Sequence, residues 1–402
     1  MADQRVIIAG AGPGGLTAAL CLADAGVPVT VFESFAELAV DLRAGSYHPP
    51  TLEMLAPYGV TQRMHERGVI VPRWQIRDRK DGVLVEFDMS LLAGDTPYPY
   101  RLHLEQHKLT PILLDECRKR GNFEIQFATA VTGFRQDADG VTATVQDAGG
   151  KRDVRGAWLV GADGARSVVR DGLGIDFEGF TWPELFLVVS TPFDYGPHGY
   201  TFATYVADPD EWLVMFKVPG FDPPALWRLA FPADASLPPE ALMAEDVVQA
   251  RLHGLLPQSA PYEVVHRNLY RVHQRVAKRY GDGRVALIGD AAHVNNPLGG
   301  MGLNGAVHDA VSVADKIVRA VRGEMSAAAA LNLYERQRRP VQIDYVQRLT
   351  IRNKRLIEER DPKIRAERQN ELRAIGADRR RMYDYLLDSS MISMVRKAAE
   401  IR

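Results

Sequence analysis

Four short segments of this chain carry residue types at spacings that can do chemistry. Gly10-Ala11-Gly12-Pro13-Gly14-Gly15 is a GxGxxG turn. Gly10 permits the tight turn, Gly12 lets a pyrophosphate approach the backbone, and Gly15 lets the next helix pack close to the preceding strand. The N–H groups at that helix start would face phosphates, and Glu33 stands where a carboxylate accepts hydrogen bonds from a ribose diol. The second segment is Gly161-Ala162-Asp163-Gly164-Ala165-Arg166-Ser167. The third opens on Gly289-Asp290-Ala291-Ala292-His293 and runs on through Pro297-Leu298-Gly299-Gly300-Met301-Gly302-Leu303-Asn304. A dense glycine run between an apolar strand and a helix marks the close approach of a ligand. The fourth is Arg43-Ala44-Gly45-Ser46-Tyr47, followed by His48.

These segments need elements to hold them. Residues 5–9 read as a buried strand, 16–25 as a helix, and 29–32 as a second strand ending at Glu33; strand, glycine turn, helix and acid in that order indicate dinucleotide binding. Residues 158–161 and 285–288 are fully apolar strands of the parallel type that lead into the second and third segments. Residues 107–120 form an amphipathic helix through Leu109, Ile112, Leu113 and Cys117. Residues 74–77 and 83–87 flank Lys80-Asp81-Gly82 as a hairpin. Residues 123–127, 130–135 and 141–146 read as a meander with Asp139-Gly140 as a turn. From 177 to 282 the chain is β-rich and aromatic, with one helix near 239–256, and helix follows from about 327 with a break at Asp361-Pro362. The fold class is α/β: a Rossmann-type domain with an inserted β-rich substrate domain and a helical C-terminus. The expected division is 1–72, 98–176 and 283–330 for the nucleotide domain. A β-hairpin at 73–97 joins the substrate domain at 177–282, and 331–402 is the helical tail.

Bulk properties exclude several classes. The chain has 402 residues, net charge −2 and 25% charged residues, so no nucleic acid is held by bulk charge. The basic stretch 331–402 reads as a solvated helical face. No apolar run is long enough to span a membrane, and the N-terminal apolar stretch lacks a basic flank and a cleavage pattern; a cytoplasmic location is expected. Cys21 and Cys117 sit in apolar helical patterns and form no CxxC, which excludes a redox-active cysteine pair and a cysteine zinc site. His103 and His107 have helical i,i+4 spacing but no third ligand, so no metal is expected. A GxSxG elbow is absent.

Together the four segments resemble the single-component FAD-dependent aromatic hydroxylases, the p-hydroxybenzoate hydroxylase-like group A flavoprotein monooxygenases, over about residues 4–345. The resemblance implies tightly bound, non-covalent FAD, NADPH or NADH as transient reductant, and O2, with an aromatic ring hydroxylated through a C4a-hydroperoxyflavin. It implies cofactor roles for Gly10, Gly12, Gly14, Gly15, Glu33, Gly299 and Gly302. Arg43 would lie near the pyrophosphate, Gln106 near the FAD ribose and Asp290 on the ribityl chain. Asp163 and Gly164 would serve FAD and NAD(P)H together. Leu303 and Asn304 would begin a helix whose N–H groups face the flavin O2 side, Pro297 would lie beside the substrate ring, and Ser46 with Tyr47 close to the isoalloxazine. A phenol must lose or share its proton, so a tyrosine or histidine network is implied; the candidates are Tyr205 and Tyr47 first, then His48, with Tyr200 and His266 behind them. Tyr205 alternates with apolar residues, as a packing residue would. Residues 211–217 lack the paired arginines that hold a benzoate in the type member, which favours a phenol, a heteroaromatic or a larger ring and leaves Arg101 and Lys217 as anion partners. Alternatives are an oxidative decarboxylase or ring-opening oxygenase, a prenyl-reductase-type oxidoreductase, and a non-catalytic flavin-binding interaction module. Homodimers are common in this family.

Overall fold

Val6–Ala9 is apolar at every position and buried at every position, so it must run inside a sheet covered on both faces. In a computed structural model, which describes residues 4–40, 45–220 and 225–402, it pairs in parallel with Trp158–Gly161 on one side and Val29–Phe32 on the other. Val285–Leu287 and Phe123–Gln126 extend the sheet, and Gly281–Asp282 closes one edge antiparallel. The register sets Ala9 beside Phe32 and Gly161, and Gly161 beside Leu287. Four strands therefore end in one row, and the loops that follow them leave at the carboxyl edge, where ligands bind in sheets of this kind. The helix Pro13–Asp24 covers the sheet between Gly302–Val321 and Gln106–Arg118.

The expected meander is displaced. Residues 123–126 form a parallel edge strand, and the antiparallel trio is Ala130–Gln136, Val141–Asp147 and Gly150–Gly156. The last strand escapes the sequence pattern because its Lys151, Arg152 and Asp153 are all exposed and leave no apolar alternation to read. His103 belongs to the strand Arg101–His103 and His107 to the following helix, so the two share no helical face.

An eight-stranded sheet stands over the carboxyl edge, in the order His293–Val294, His266–Ala277, Phe177–Thr191, Leu226–Ala233, Leu213–Val218, Ala203–Ala207, Arg73–Asp78, Gly82–Asp88. Alternate residues serve opposite faces. Leu187, Val189, Leu213, Leu229 and Phe231 pack with Val248 and Leu252 of the helix Glu245–Leu255. Val188, Tyr205, Val214 and Ala230 look the other way, into the cleft. The C-terminal helices clamp this sheet: Pro362–Ala377, capped by the Asp361 carboxylate at 2.8 Å from Lys363 N–H, packs on Gly82–Asp88. No helix among the described residues is long and apolar enough to cross a membrane.

Candidate functional site

The row of strand ends builds the site. The turn 10–15, Glu33, residues 162–166 and the run from Ile288 to Ala306 line one cleft of about 710 Å³, roofed by the large sheet.

At one end the lining is mostly backbone. Gly10 has φ +100°, and a Cβ there would lie 2.5 Å from Ala162 O; a Cβ on Gly15 would lie 2.0 Å from Gly10 O. Neither position admits a side chain. A Cβ on Gly12 would meet nothing within 4 Å. Packing alone does not demand glycine at 12, whereas a ligand pressed to the backbone would. The Glu33 carboxylate accepts from Ala11 N–H at 2.7 Å and Phe35 N–H at 3.0 Å, which fixes it under the turn and at the cleft wall. Gly14, Gln106, Asp290, Gly299, Gly302 and Leu303 also line this cleft. The helix Gly302–Val321 opens here: its ladder begins with Gly305 N–H donating to Met301 O at 2.8 Å, so the N–H groups ahead of it have no acceptor within the helix. These features fit a dinucleotide with a flavin ring. Arg43 lies outside the described residues.

Several side chains are engaged with the protein itself. Asp163 lines the cleft, yet its oxygens accept from Ser167 Oγ at 2.6 Å and Val169 N–H at 3.0 Å, so the carboxylate shapes its own loop. Asn304 is fully buried. Its Nδ2 donates to Ser46 O at 2.8 Å and Gly300 O at 2.6 Å, and its Oδ1 accepts from His48 N–H at 2.9 Å and Thr51 Oγ1 at 2.6 Å. That side chain rivets the strand Ser46–Tyr47 to the glycine loop. Ser46 faces the cleft, so Tyr47, its neighbour in a strand, faces away. Tyr47 is fully buried, burial raises its phenol far above the usual range, and its hydroxyl has no partner among the described residues. His48 is likewise behind the wall, with Nε2 2.7 Å from Gly299 O; burial, and then the charge of Arg101, hold its ring neutral. Tyr47 and His48 therefore support the loop and do not reach the cleft.

Behind the glycine loop is an ion cluster that the sequence reading missed. Asp309 is fully buried and takes His293 Nε2 and Arg338 Nε at 2.7 Å each and Gly289 N–H at 3.1 Å. Burial alone would raise its pKa, but His293 and Arg338 overcome that and hold it below the ordinary carboxylate value. The available signal was an acid on the buried stripe of an amphipathic helix. A second network hangs the loop from the large sheet: Gln274 Oε1 accepts from Asn296 N–H and Nδ2 at 3.0 Å, while Gln274 Nε2 donates to Gln347 Oε1 at 2.7 Å.

The other end is a chamber of side chains. Val188, Ala203, Tyr205, Val214, Phe216, Ala230 and Tyr270 face the loop that carries Pro297, which is exposed at the cleft. Tyr205 is half-buried, edge-on to Trp74 at 5.8 Å, and interacts with the Arg101 guanidinium. The strand Leu213–Val218 is apolar toward the cleft, but Arg101, Arg228 and His266 enter the same lining from other elements. Lys217 points elsewhere, 3.4 Å from Asp194.

A family model described as "FAD binding domain" matches residues 3–349. The chain is 36% identical over 387 residues to para-nitrophenol 4-monooxygenase of Pseudomonas sp. strain WBC-3, covering 95% of this chain and 94% of the relative. It is also 36% identical over 388 residues to 6-hydroxy-3-succinoylpyridine 3-monooxygenase HspB of Pseudomonas putida, covering 95% and 96%. The crystal structure of p-nitrophenol 4-monooxygenase PnpA from Pseudomonas putida DLL-E4 superposes with a TM-score of 0.91 at 34% identity, covering 98% of each chain.

Proposed function

The chain belongs to the FAD-dependent aromatic monooxygenases, and we propose that it hydroxylates a small phenolic or heteroaromatic ring in the chamber, beside FAD laid along the glycine turns. It uses FAD, NAD(P)H and O2. The net reaction converts a ring C–H, O2, NAD(P)H and a proton into ring C–OH, NAD(P)+ and water. The observation that carries this reading is a single cleft that joins a backbone-lined dinucleotide groove to an oily chamber. Two relatives matched over nearly their whole lengths are named for single-ring substrates, a nitrophenol and a hydroxypyridine; that supports a ring of this size over a polycyclic one.

Bound FAD supplies hydride acceptance from NAD(P)H and the activation of O2. The chain does the rest. Gly12 and the start of the helix Pro13–Asp24 receive the pyrophosphate, and Glu33 takes the ribose hydroxyls. Gln106 and Asp290 hold the polar spine between ribose and ring. The open N–H groups of Gly302, Leu303 and Asn304 stabilise negative charge on the electron-rich edge of the ring system. Gly299 and Pro297 press the substrate ring from one side and the sheet face presses from the other, which excludes water and keeps O2 reduction coupled to hydroxylation. Tyr205 holds a proton at the substrate oxygen. Asp309 positions the Gly289–Asp290 turn. A cytoplasmic location, where NAD(P)H is regenerated, and a homodimer are both compatible with this chemistry.

The test is turnover under 18O2 with a panel of phenols, aminobenzoates and pyridines. The expected product carries one labelled oxygen, with one NAD(P)H consumed per product. A holoenzyme whose NAD(P)H oxidation no aromatic compound stimulates, or whose product is unlabelled, overturns the reading.

A further inference from the structure

We propose that Arg101 is the substrate clamp of this enzyme: its guanidinium holds an oxyanion borne by the aromatic ring, so the phenol is taken as its phenolate. This rests on the function proposed above and assigns the chemistry of its substrate.

Arg101 lies in the strand Arg101–His103, 3% exposed, and lines the cleft. Its guanidinium is 4.5 Å over the Trp74 ring, with Tyr205 and Tyr385 beside it, and its Nε has no hydrogen-bond partner among the described residues. No carboxylate is paired with it among the described residues. Two other buried arginines have acids: Arg338 has Asp309 at 2.7 Å, and Arg170 has Asp171 at 3.3 Å; Arg228, in the same lining, donates to Ser190 Oγ at 3.4 Å. Glu105, close by in sequence, is committed to Lys108 at 3.1 Å and Gly220 N–H at 2.9 Å. The titratable groups around Arg101 do not neutralise it. His103 and His48 are held neutral by burial and by the charge of Arg101 itself, and Tyr205 and Tyr385 are phenols. A buried, uncompensated cation is costly, and here the missing anion has an open approach from the chamber side. An ionised ring oxygen would cancel the charge, accept from Arg101 and Tyr205 together, and raise the nucleophilicity of the ring.

The experiment measures binding to holoenzyme by perturbation of the flavin absorbance, across pH, for 4-nitrophenol, the less acidic 4-cyanophenol, 4-hydroxybenzoate and the neutral 4-nitroanisole. For wild type, each phenol is expected to weaken as pH falls below its own pKa, with the break moving from one phenol to the other while 4-nitroanisole stays flat. Arg101→Met should weaken the phenolates roughly 10- to 100-fold, the loss of a hydrogen bond to a charged group, and Arg101→Lys should recover part of that. Loss confined to 4-hydroxybenzoate would make a carboxylate the partner of Arg101 and overturn the phenolate assignment. Equal weakening of 4-nitrophenol and 4-nitroanisole by Arg101→Met, or a pH break that does not move with the ligand, overturns the proposal. The pH series needs no variant, so it decides even if Arg101→Met fails to fold. Failure of every phenol to stimulate NAD(P)H oxidation in wild type would instead defeat the function reading.

Discussion

The two ends of the cleft are built differently. The dinucleotide end is made mostly by backbone: glycine-rich turns at 10–15 and 289–302, braced from below by Glu33 and Asp309. The chamber end is made by side chains drawn across a sheet, in which Tyr205, Val214, Ala230, Val188 and Asn268 form one cross-strand row. A backbone cradle has few ways to vary, because any side chain collides with the loop or the ligand. A side-chain wall varies one residue at a time without disturbing the sheet. The same fold can therefore hold one coenzyme and accept different rings.

Four substitutions or conditions break or sharpen this contrast. The largest effect is expected under the dinucleotide end. Asp309→Asn leaves His293 and Arg338 without their shared carboxylate and should cost about 3–5 kcal/mol of stability, read from urea unfolding of the holoprotein; a loss below about 1 kcal/mol would show that the cluster does not brace the turn. Gly12→Val should leave the apoprotein folded, since its Cβ enters open space, and weaken FAD binding about 100-fold, equal to about 2.7 kcal/mol. Unchanged FAD affinity would remove the pyrophosphate from the turn.

Acid should then act on the buried histidines around the cleft. His103 is pushed down to about 4 and His308 to about 3, in both cases chiefly by burial. The unfolded chain takes up these protons near the ordinary value of 6.5 and the folded chain does not, so stability is level above that pH and falls as pH drops toward 4. Each ring contributes about 1.4 kcal/mol per pH unit. A urea midpoint that is flat between pH 7 and 5 would contradict this. The smallest effect is at the chamber. Tyr205→Phe should lower coupled hydroxylation roughly threefold to tenfold, with a matching rise in hydrogen peroxide release, and leave FAD content intact. Unchanged coupling would make Tyr205 a packing residue.

The same contrast decides what could be read in the sequence. A backbone cradle needs consecutive glycines after a strand, so Gly10 to Gly15, Gly299 and Gly302 announce themselves, and the row of strand ends then gathers them. The Ser46-Tyr47-His48 run shows the limit. Adjacency in sequence suggested a shared position at the ring, but a two-residue strand sends Ser46 and Tyr47 to opposite sides. Asp163 was legible as a motif residue while the use of its carboxylate, on Ser167 and Val169, was not. Arg101 could be named only as one anion partner among two. What separates it from Lys217 is that Lys217 has Asp194 and Arg101 has no acid among the described residues, a difference set by packing and not by local sequence. The cross-strand row that walls the chamber has no sequence signature, because its members come from five strands and share only a register.

The central claim is that coenzyme and aromatic substrate lie side by side in this one cleft. Its most direct test is a titration of the FAD-loaded protein with 4-nitrophenol, followed in the visible absorbance of the flavin and then in NAD(P)H oxidation. A saturable change in the flavin spectrum, with oxidation accelerated over the same concentration range, is the expected result. A flavin spectrum and an oxidation rate indifferent to 4-nitrophenol and to every other aromatic ring tried would contradict it.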